Sequence, residues 1–286
     1  MAAQNEVQVY ADDEAHAAAV ANAAIAEVKR IEAKYSRYRE ESLLSRINAA
    51  AGKDAVEVDE ETLRLLGFAD AAFRQSDGLF DATSGVLRRA WNFREPRVPA
   101  RAELDALLPL VGWEKVEIAG NRVRLTQPGM QLDFGGFGKE YAVDRAARVM
   151  AEQGAKSAMV SLAGDLAILG PQPGGEPWRM GIRHPRREDK LLATIPVMSG
   201  AIATSGDYER FIEVDGERHC HILDPRTGRS ARGLQSVTVQ AQSCLIAGSA
   251  TTIAMLKGRE AGLAWLEELG LAHLAVTEDG TVIERF

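Results

Sequence analysis

From Ser157 onward the chain is a succession of short apolar stretches, joined in several places by returns too tight to hold a crossover helix. Residues 158–162, 166–169, 179–182, 191–197, 201–204, 211–214 and 236–239 each read as a strand. Gly174-Gly175 and Val214-Asp215-Gly216-Glu217 supply close turns, which predicts antiparallel pairing, because parallel neighbours need a long connection. A further hairpin is expected at 116–118 and 123–125 around Gly120-Asn121, and a last one at 274–276 and 281–285. Helical spacing of Ile25, Val28 and Ile31 predicts a helix over 12–35, and Leu63, Leu66 and Phe68 mark another over 60–74. Helices are also expected over 139–153, stopped by Gly154, and as a pair over 245–256 and 260–269. Strands in runs and helices in pairs, without steady alternation, predict an α+β fold over a doubly wound parallel sheet. Linker composition is weak throughout, so residues 1–286 read as one domain.

The 46% hydrophobic content of the 286 residues is enough for a sizeable core. Lys and Arg number 34 against 41 Asp and Glu, and the net charge of −7 argues against nucleic acid or anionic lipid as a partner. It leaves room for an anionic small ligand held by a local nest of donors. No stretch approaches the length of an apolar membrane-spanning helix. The start, with Asn5, Glu6, Asp12 and Asp13, lacks the basic and apolar regions of a leader, which predicts a cytoplasmic protein. Two cysteines, Cys220 and Cys244, are too few for a disulfide scaffold.

Gly135-Gly136-Phe137-Gly138-Lys139 matches neither of the common nucleotide-loop patterns. It still allows close backbone approach to a ligand, ahead of a helix start that offers free N–H groups to an anion. Strand alternation would place His219 and His221 on one face and Cys220 on the other, a weak basis for a metal pair. Four segments are unusually polar or Gly-rich: Tyr35-Ser36-Arg37-Tyr38 running on to Ser42 and Asn48; Asp77 to Gly85; Leu132 to Lys139; and Ala203 to Tyr208 paired with His221 to Gly228. Each alone reads as turn or packing chemistry. Together they form the dispersed set of donors, carboxylates and apolar walls that an adenine, ribose and pyrophosphate ligand needs.

In order and content these segments resemble the signature blocks of the flavin transferases, the FAD:protein FMN transferase or ApbE family. The matching blocks are 36–48, 77–85 followed by Trp91-Asn92-Phe93, 133–144, 160–165, 204–210, 221–228 and 236–258. The resemblance implies a T-fold-like α+β arrangement. It also implies transfer of the FMN part of FAD to a threonine hydroxyl of an acceptor protein, with release of AMP. FAD is then a substrate, and magnesium (Mg2+) the metal, suited to oxygen ligands. By the same resemblance Tyr38 packs on the flavin nucleotide, and Leu79, Phe80 and Asp81 contact adenosine. Asp133, Lys139 and Ile222 touch FAD, with Lys139 opposing pyrophosphate charge, and Gly136 and Thr252 hold the metal. Met1 stands where a Met-Gly-Thr block begins, with Ala2-Ala3 in place of Gly-Thr. His221 is the candidate general base, since imidazole titrates near neutrality.

Two positions depart from that pattern. Ala247-Gly248 replaces an Ala-Asp pair whose aspartate binds metal, and Lys139-Glu140 replaces the commoner Lys-Gly. The first departure predicts weak magnesium binding that Gly248→Asp would strengthen. It also keeps two alternatives in view: an FAD pyrophosphatase or non-catalytic FAD-binding member of the family, and a metal-free structural or partner-binding protein on the same scaffold.

Overall fold

The computed structural model describes residues 4–286, apart from the side chain of Glu188. Met1 and the block that it was expected to open lie outside the described residues. The chain begins with β1 (Asn5–Tyr10), α1 (Glu14–Tyr35), α2 (Leu43–Ala49), β2 (Val56–Glu57) and α3 (Glu60–Gln75). A 3-10 turn at Ser84–Arg89 leads to α4 (Arg101–Leu107), then β3 (Val116–Ala119), β4 (Arg122–Leu125) and α5 (Gly138–Glu152). Next come β5 (Ser157–Leu162), β6 (Asp165–Leu169), β7 (Trp178–His184), β8 (Arg187–Val197), β9 (Gly200–Gly206), β10 (Phe211–Val214) and β11 (Glu217–Cys220). The chain closes with β12 (Leu234–Ala241), α6 (Cys244–Lys257), α7 (Arg259–Glu268), β13 (Ala272–Thr277) and β14 (Val282–Arg285).

Seven strands form the main sheet in the order β1-β5-β6-β9-β12-β13-β14, every neighbour antiparallel. The α+β expectation therefore holds. Several elements were not anticipated, among them β1, α2, β2, α4 and the 3-10 turn. β1 alternates over Glu6-Val7-Gln8-Val9 but offers only Val7 and Val9 to the core, while α2, β2, α4 and the 3-10 turn are too short to show a period.

The alternation of strand side chains sorts the core into two layers. Ala158, Val160, Ala167, Ala201, Ala203, Val237, Val239 and Ala275 face the helical layer. Their small side chains let α5 and α6 lie close to the sheet. Met159, Leu166, Ile168, Ile202, Leu274 and Val276 point the other way and pack under the β7–β8 hairpin, against Trp178, Ile182, Ile195 and Val197.

Local capping fixes the helix starts. Asp13, Ser42, Asp59 and Ser243 each accept an amide of the first turn of α1, α2, α3 and α6 respectively. The start of α6 has a second tie: Asp144 of α5 accepts the Cys244 and Leu245 amides at 2.7 and 2.9 Å. Among the described residues no helix is long and apolar enough to cross a membrane.

Candidate active site

The Gly-rich turn before α5 is organised around Asp133. Its own N–H donates to the Ala82 carbonyl at 2.8 Å, and its Oδ1 accepts the Gly135 amide at 2.9 Å. Its Oδ2 accepts from the Arg37 guanidinium and lies 3.2 Å from Arg88 Nε. A Cβ on Gly85 would stand 2.4 Å from Asp133 Cβ, so the 77–85 and 132–138 segments meet only because residue 85 has no side chain. Arg37 also donates to the Tyr38 hydroxyl, and its guanidinium carbon sits 4.7 Å from that ring's centroid. Tyr38 itself is 79% exposed, a flat aromatic surface at the edge of the charged cluster.

His221 lies just past the end of β11, so strand alternation does not extend to it. The reading that paired it with His219 on one face fails for that reason. His219 packs on Trp91, ring centroids 5.9 Å apart, whereas the His221 amide donates to the Arg210 carbonyl at 3.0 Å. His221 Nδ1 is buried without a hydrogen-bond partner. Burial, together with the charges of Arg88 and Arg210 and a smaller contribution from Lys139, pushes the imidazole down to about 4, so it is neutral at pH 7. The turn that follows is held by the Gly228 amide on the Asp224 carbonyl, and by Trp91 Nε1 donating to the Gly228 carbonyl, both at 2.8 Å. Ile222 is buried, and its carbonyl accepts from Ala231 at 2.9 Å. Its N–H has no partner among the described residues.

Lys139 Nζ lies 2.5 Å from Asp165 Oδ2 and 3.8 Å from Glu140 Oε1. Burial opposes the ammonium, but the two carboxylates outweigh it and hold the Lys139 pKa above the ordinary lysine range. Glu140 is 6% exposed; burial pushes its carboxyl upward, and Oε2 has no hydrogen-bond partner. Across from α5, Thr252 on α6 bonds Ser205 of β9 at 3.1 Å, and Thr251 bonds the same hydroxyl at 2.8 Å. The Gly136 carbonyl accepts no hydrogen bond among the described residues.

The strip 79–81 lies deeper. Leu79 and Phe80 are buried, and the Phe80 ring packs 6.1 Å from Phe137. Asp81 accepts the Thr83 amide and hydroxyl at 2.7 and 2.6 Å on Oδ1, and the Trp113 amide at 3.1 Å on Oδ2. Both of its oxygens are therefore engaged within the protein.

The fold thus gathers Tyr38, Asp133, Lys139 and His221 around three arginines, Arg37, Arg88 and Arg210, which sequence reasoning had not singled out. Each of the three lay inside or beside a polar, Gly-rich segment, which was the only local signal they gave. Among the described residues no group of three His, Cys, Asp or Glu side chains converges to hold a metal. Both cysteines are free and buried, and burial raises their thiol pKa values, so neither has the character of a nucleophile.

The comparisons with known proteins agree with the family and the fold. The chain is 33% identical over 262 residues to the FAD:protein FMN transferase of Vibrio cholerae, covering 88% of this chain and 78% of that one. Against the FAD:protein FMN transferase of Salmonella typhimurium it is 31% identical, covering 86% and 73%. The crystal structure of the ApbE protein of Thermotoga maritima superposes with a TM-score of 0.88 at 35% identity, over 97% of this chain and 93% of that one. Residues 1–275 match the sequence profile of the ApbE family, and the chain belongs to that family.

Proposed function

We propose that this protein is an FAD:protein FMN transferase that takes FAD as substrate and moves its FMN part onto a threonine hydroxyl of an acceptor protein. The observation that carries the reading is His221, a buried imidazole that is neutral at pH 7 and surrounded by Arg88, Arg210 and Lys139. A neutral imidazole can accept a proton, and a cationic surround suits a pyrophosphate. The two features serve one reaction. When the pyrophosphate offsets the cations, the field that keeps His221 unprotonated weakens and the imidazole becomes a stronger base.

In the proposed step the threonine oxygen forms a bond to the phosphorus of the FMN part. The bond from that phosphorus to the bridging oxygen breaks, and the electron pair leaves with AMP. His221 takes the hydroxyl proton. Lys139, held by Asp165, faces the pyrophosphate charge, and Arg37 and Arg88 are fixed by Asp133 in the same cluster. Tyr38 offers its exposed ring to the isoalloxazine or adenine face, and the Ile222 N–H is free for a main-chain contact. Leu79 and Phe80 wall the adenosine side, with Asp81 fixing their turn.

Magnesium fits the oxygen donors present: the unpartnered Gly136 carbonyl, the Thr252 hydroxyl and, nearby, an orphaned buried oxygen of Glu140. When bound it would neutralise charge on the phosphates. The reading is tested by incubating the full chain with FAD, Mg2+ and a threonine-bearing acceptor, then measuring the acceptor's mass. A gain of one FMN, with AMP released, is expected; FMN and AMP without acceptor gain would mean hydrolysis and would overturn it.

A further inference from the structure

The two departures at 140 and 248 meet in space. A Cβ built on Gly248 would stand 2.5 Å from Glu140 Cγ and 3.1 Å from its Cδ and Oε1. Glu140 therefore fills the volume that any side chain at 248 would need. It reaches that volume from the first turn of α5, while residue 248 would reach it from α6.

The carboxylate sits there at a cost, because a buried carboxylate needs a compensating partner. Lys139 is only a partial one, 3.8 Å away and already paired to Asp165 at 2.5 Å. Oε2 has none at all. One turn further along α6 from Gly248, on the same helix face, stands the Thr252 hydroxyl. Burial and the neighbouring Asp165 push the Glu140 carboxyl upward, so a cation would displace its proton on binding. An unpartnered carboxyl oxygen beside a hydroxyl is then a donor set for a hard divalent cation.

We infer that Glu140 is the metal-site carboxylate of this protein, delivered from α5 into the place that residue 248 leaves empty on α6, with Thr252 and the Gly136 carbonyl as neutral donors. The inference rests on the flavin-transfer reading for the choice of magnesium; the geometry of Glu140 and Gly248 stands apart from it. It also corrects the expectation drawn from residue 248 alone. Gly248→Asp by itself adds a side chain where Glu140 already lies, so it crowds the site instead of completing it.

The test uses the full chain and Mn2+ as a paramagnetic probe, titrated without FAD and followed by electron paramagnetic resonance. Wild type is expected to bind Mn2+, and Glu140→Gln, which keeps shape and loses charge, should weaken binding by roughly tenfold or more. Gly248→Asp should lower the melting temperature. The paired change Glu140→Gly with Gly248→Asp should restore both melting temperature and Mn2+ affinity. Equal Mn2+ affinity in wild type and Glu140→Gln would overturn the inference, as would a Gly248→Asp protein that melts like wild type and binds Mn2+ more tightly. The mass assay separates this result from the functional reading. A protein that binds Mn2+ through Glu140 but leaves its acceptor unmodified keeps the metal site and loses the transfer reading. Transfer by a wild type whose Mn2+ affinity ignores Glu140 does the reverse.

Discussion

Lys139 on α5 and Asp165 at the start of β6 form an ion pair of 2.5 Å, and the other oxygen of that carboxylate accepts the Thr204 amide at 2.9 Å. One side chain thereby joins the helix after the Gly-rich turn to two neighbouring strands of the sheet, which pair with each other. Lys139→Met would leave Asp165 buried without a cation, held by the Thr204 amide and facing the Glu140 carboxyl. It should cost about 3 kcal/mol of stability, the scale for breaking a buried pair from one side. The double change with Asp165→Asn should recover part of that in urea denaturation, while FAD affinity stays weak because the cation is gone.

His221 carries a prediction in rate and one in pH. His221→Ala should slow FMN transfer by roughly a hundredfold or more while FAD affinity stays nearly intact. Equal rates in a single-turnover assay would place the base elsewhere. The imidazole has a folded pKa near 4, depressed from an unfolded value of about 6.5. The unfolded chain therefore binds the proton first, so the stabilising contribution is whole above about pH 6.5 and is lost as pH falls toward 4. His221→Asn should flatten the fall in melting temperature across that window.

Asp81 gives a different signature. Removing its carboxylate strands the buried Thr83 and Trp113 amides, so Asp81→Ala should cost about 2 kcal/mol or more of folding stability. A protein that keeps wild-type stability and loses only FAD would mean that Asp81 serves the ligand and not the turn.

Tyr38 is the opposite case. It is exposed, with its ring against the Arg37 guanidinium, so Tyr38→Ala should leave the melting temperature nearly unchanged. FAD binding should weaken by about 1–3 kcal/mol, the scale of an aromatic stacking platform for a base. Fluorescence titration of FAD measures this directly, and unchanged affinity would remove Tyr38 from the site.

What the sequence disclosed followed the range of each signal. Period-2 and period-3.6 patterns are local, so the strands from Ser157 onward and helices α1, α3, α5, α6 and α7 were legible within a residue or two at most ends. β1 was not, because its alternation spans only two apolar residues, Val7 and Val9, and its partner β5 lies about 150 residues away in the chain. The candidate site residues that the sequence offered were those inside compact motifs, such as His221 ahead of Asp224-Pro225-Arg226-Thr227-Gly228. Arg37 and Arg88 acquire meaning only through Asp133, a contact that no local pattern encodes. Glu140 read as a minor departure because nothing in its neighbourhood shows that it occupies the space beside Gly248.

The double acceptance of the Cys244 and Leu245 amides by Asp144 has a consequence for ion choice. That carboxylate is a pin through the crossing of α5 and α6, one turn from Glu140 on one helix and one turn from Gly248 on the other. With the pin in place, the spacing of the two donors inferred above, Glu140 and Thr252, would be set by the helix crossing and not by the ion. A gap held in that way selects by ionic radius. Magnesium asks for oxygens at about 2.0–2.1 Å and calcium for about 2.3–2.6 Å, so a pinned gap cannot serve both equally well. Asp144→Ala should blunt the preference between the two ions without touching a single metal donor, so the discrimination would reside in a helix cap.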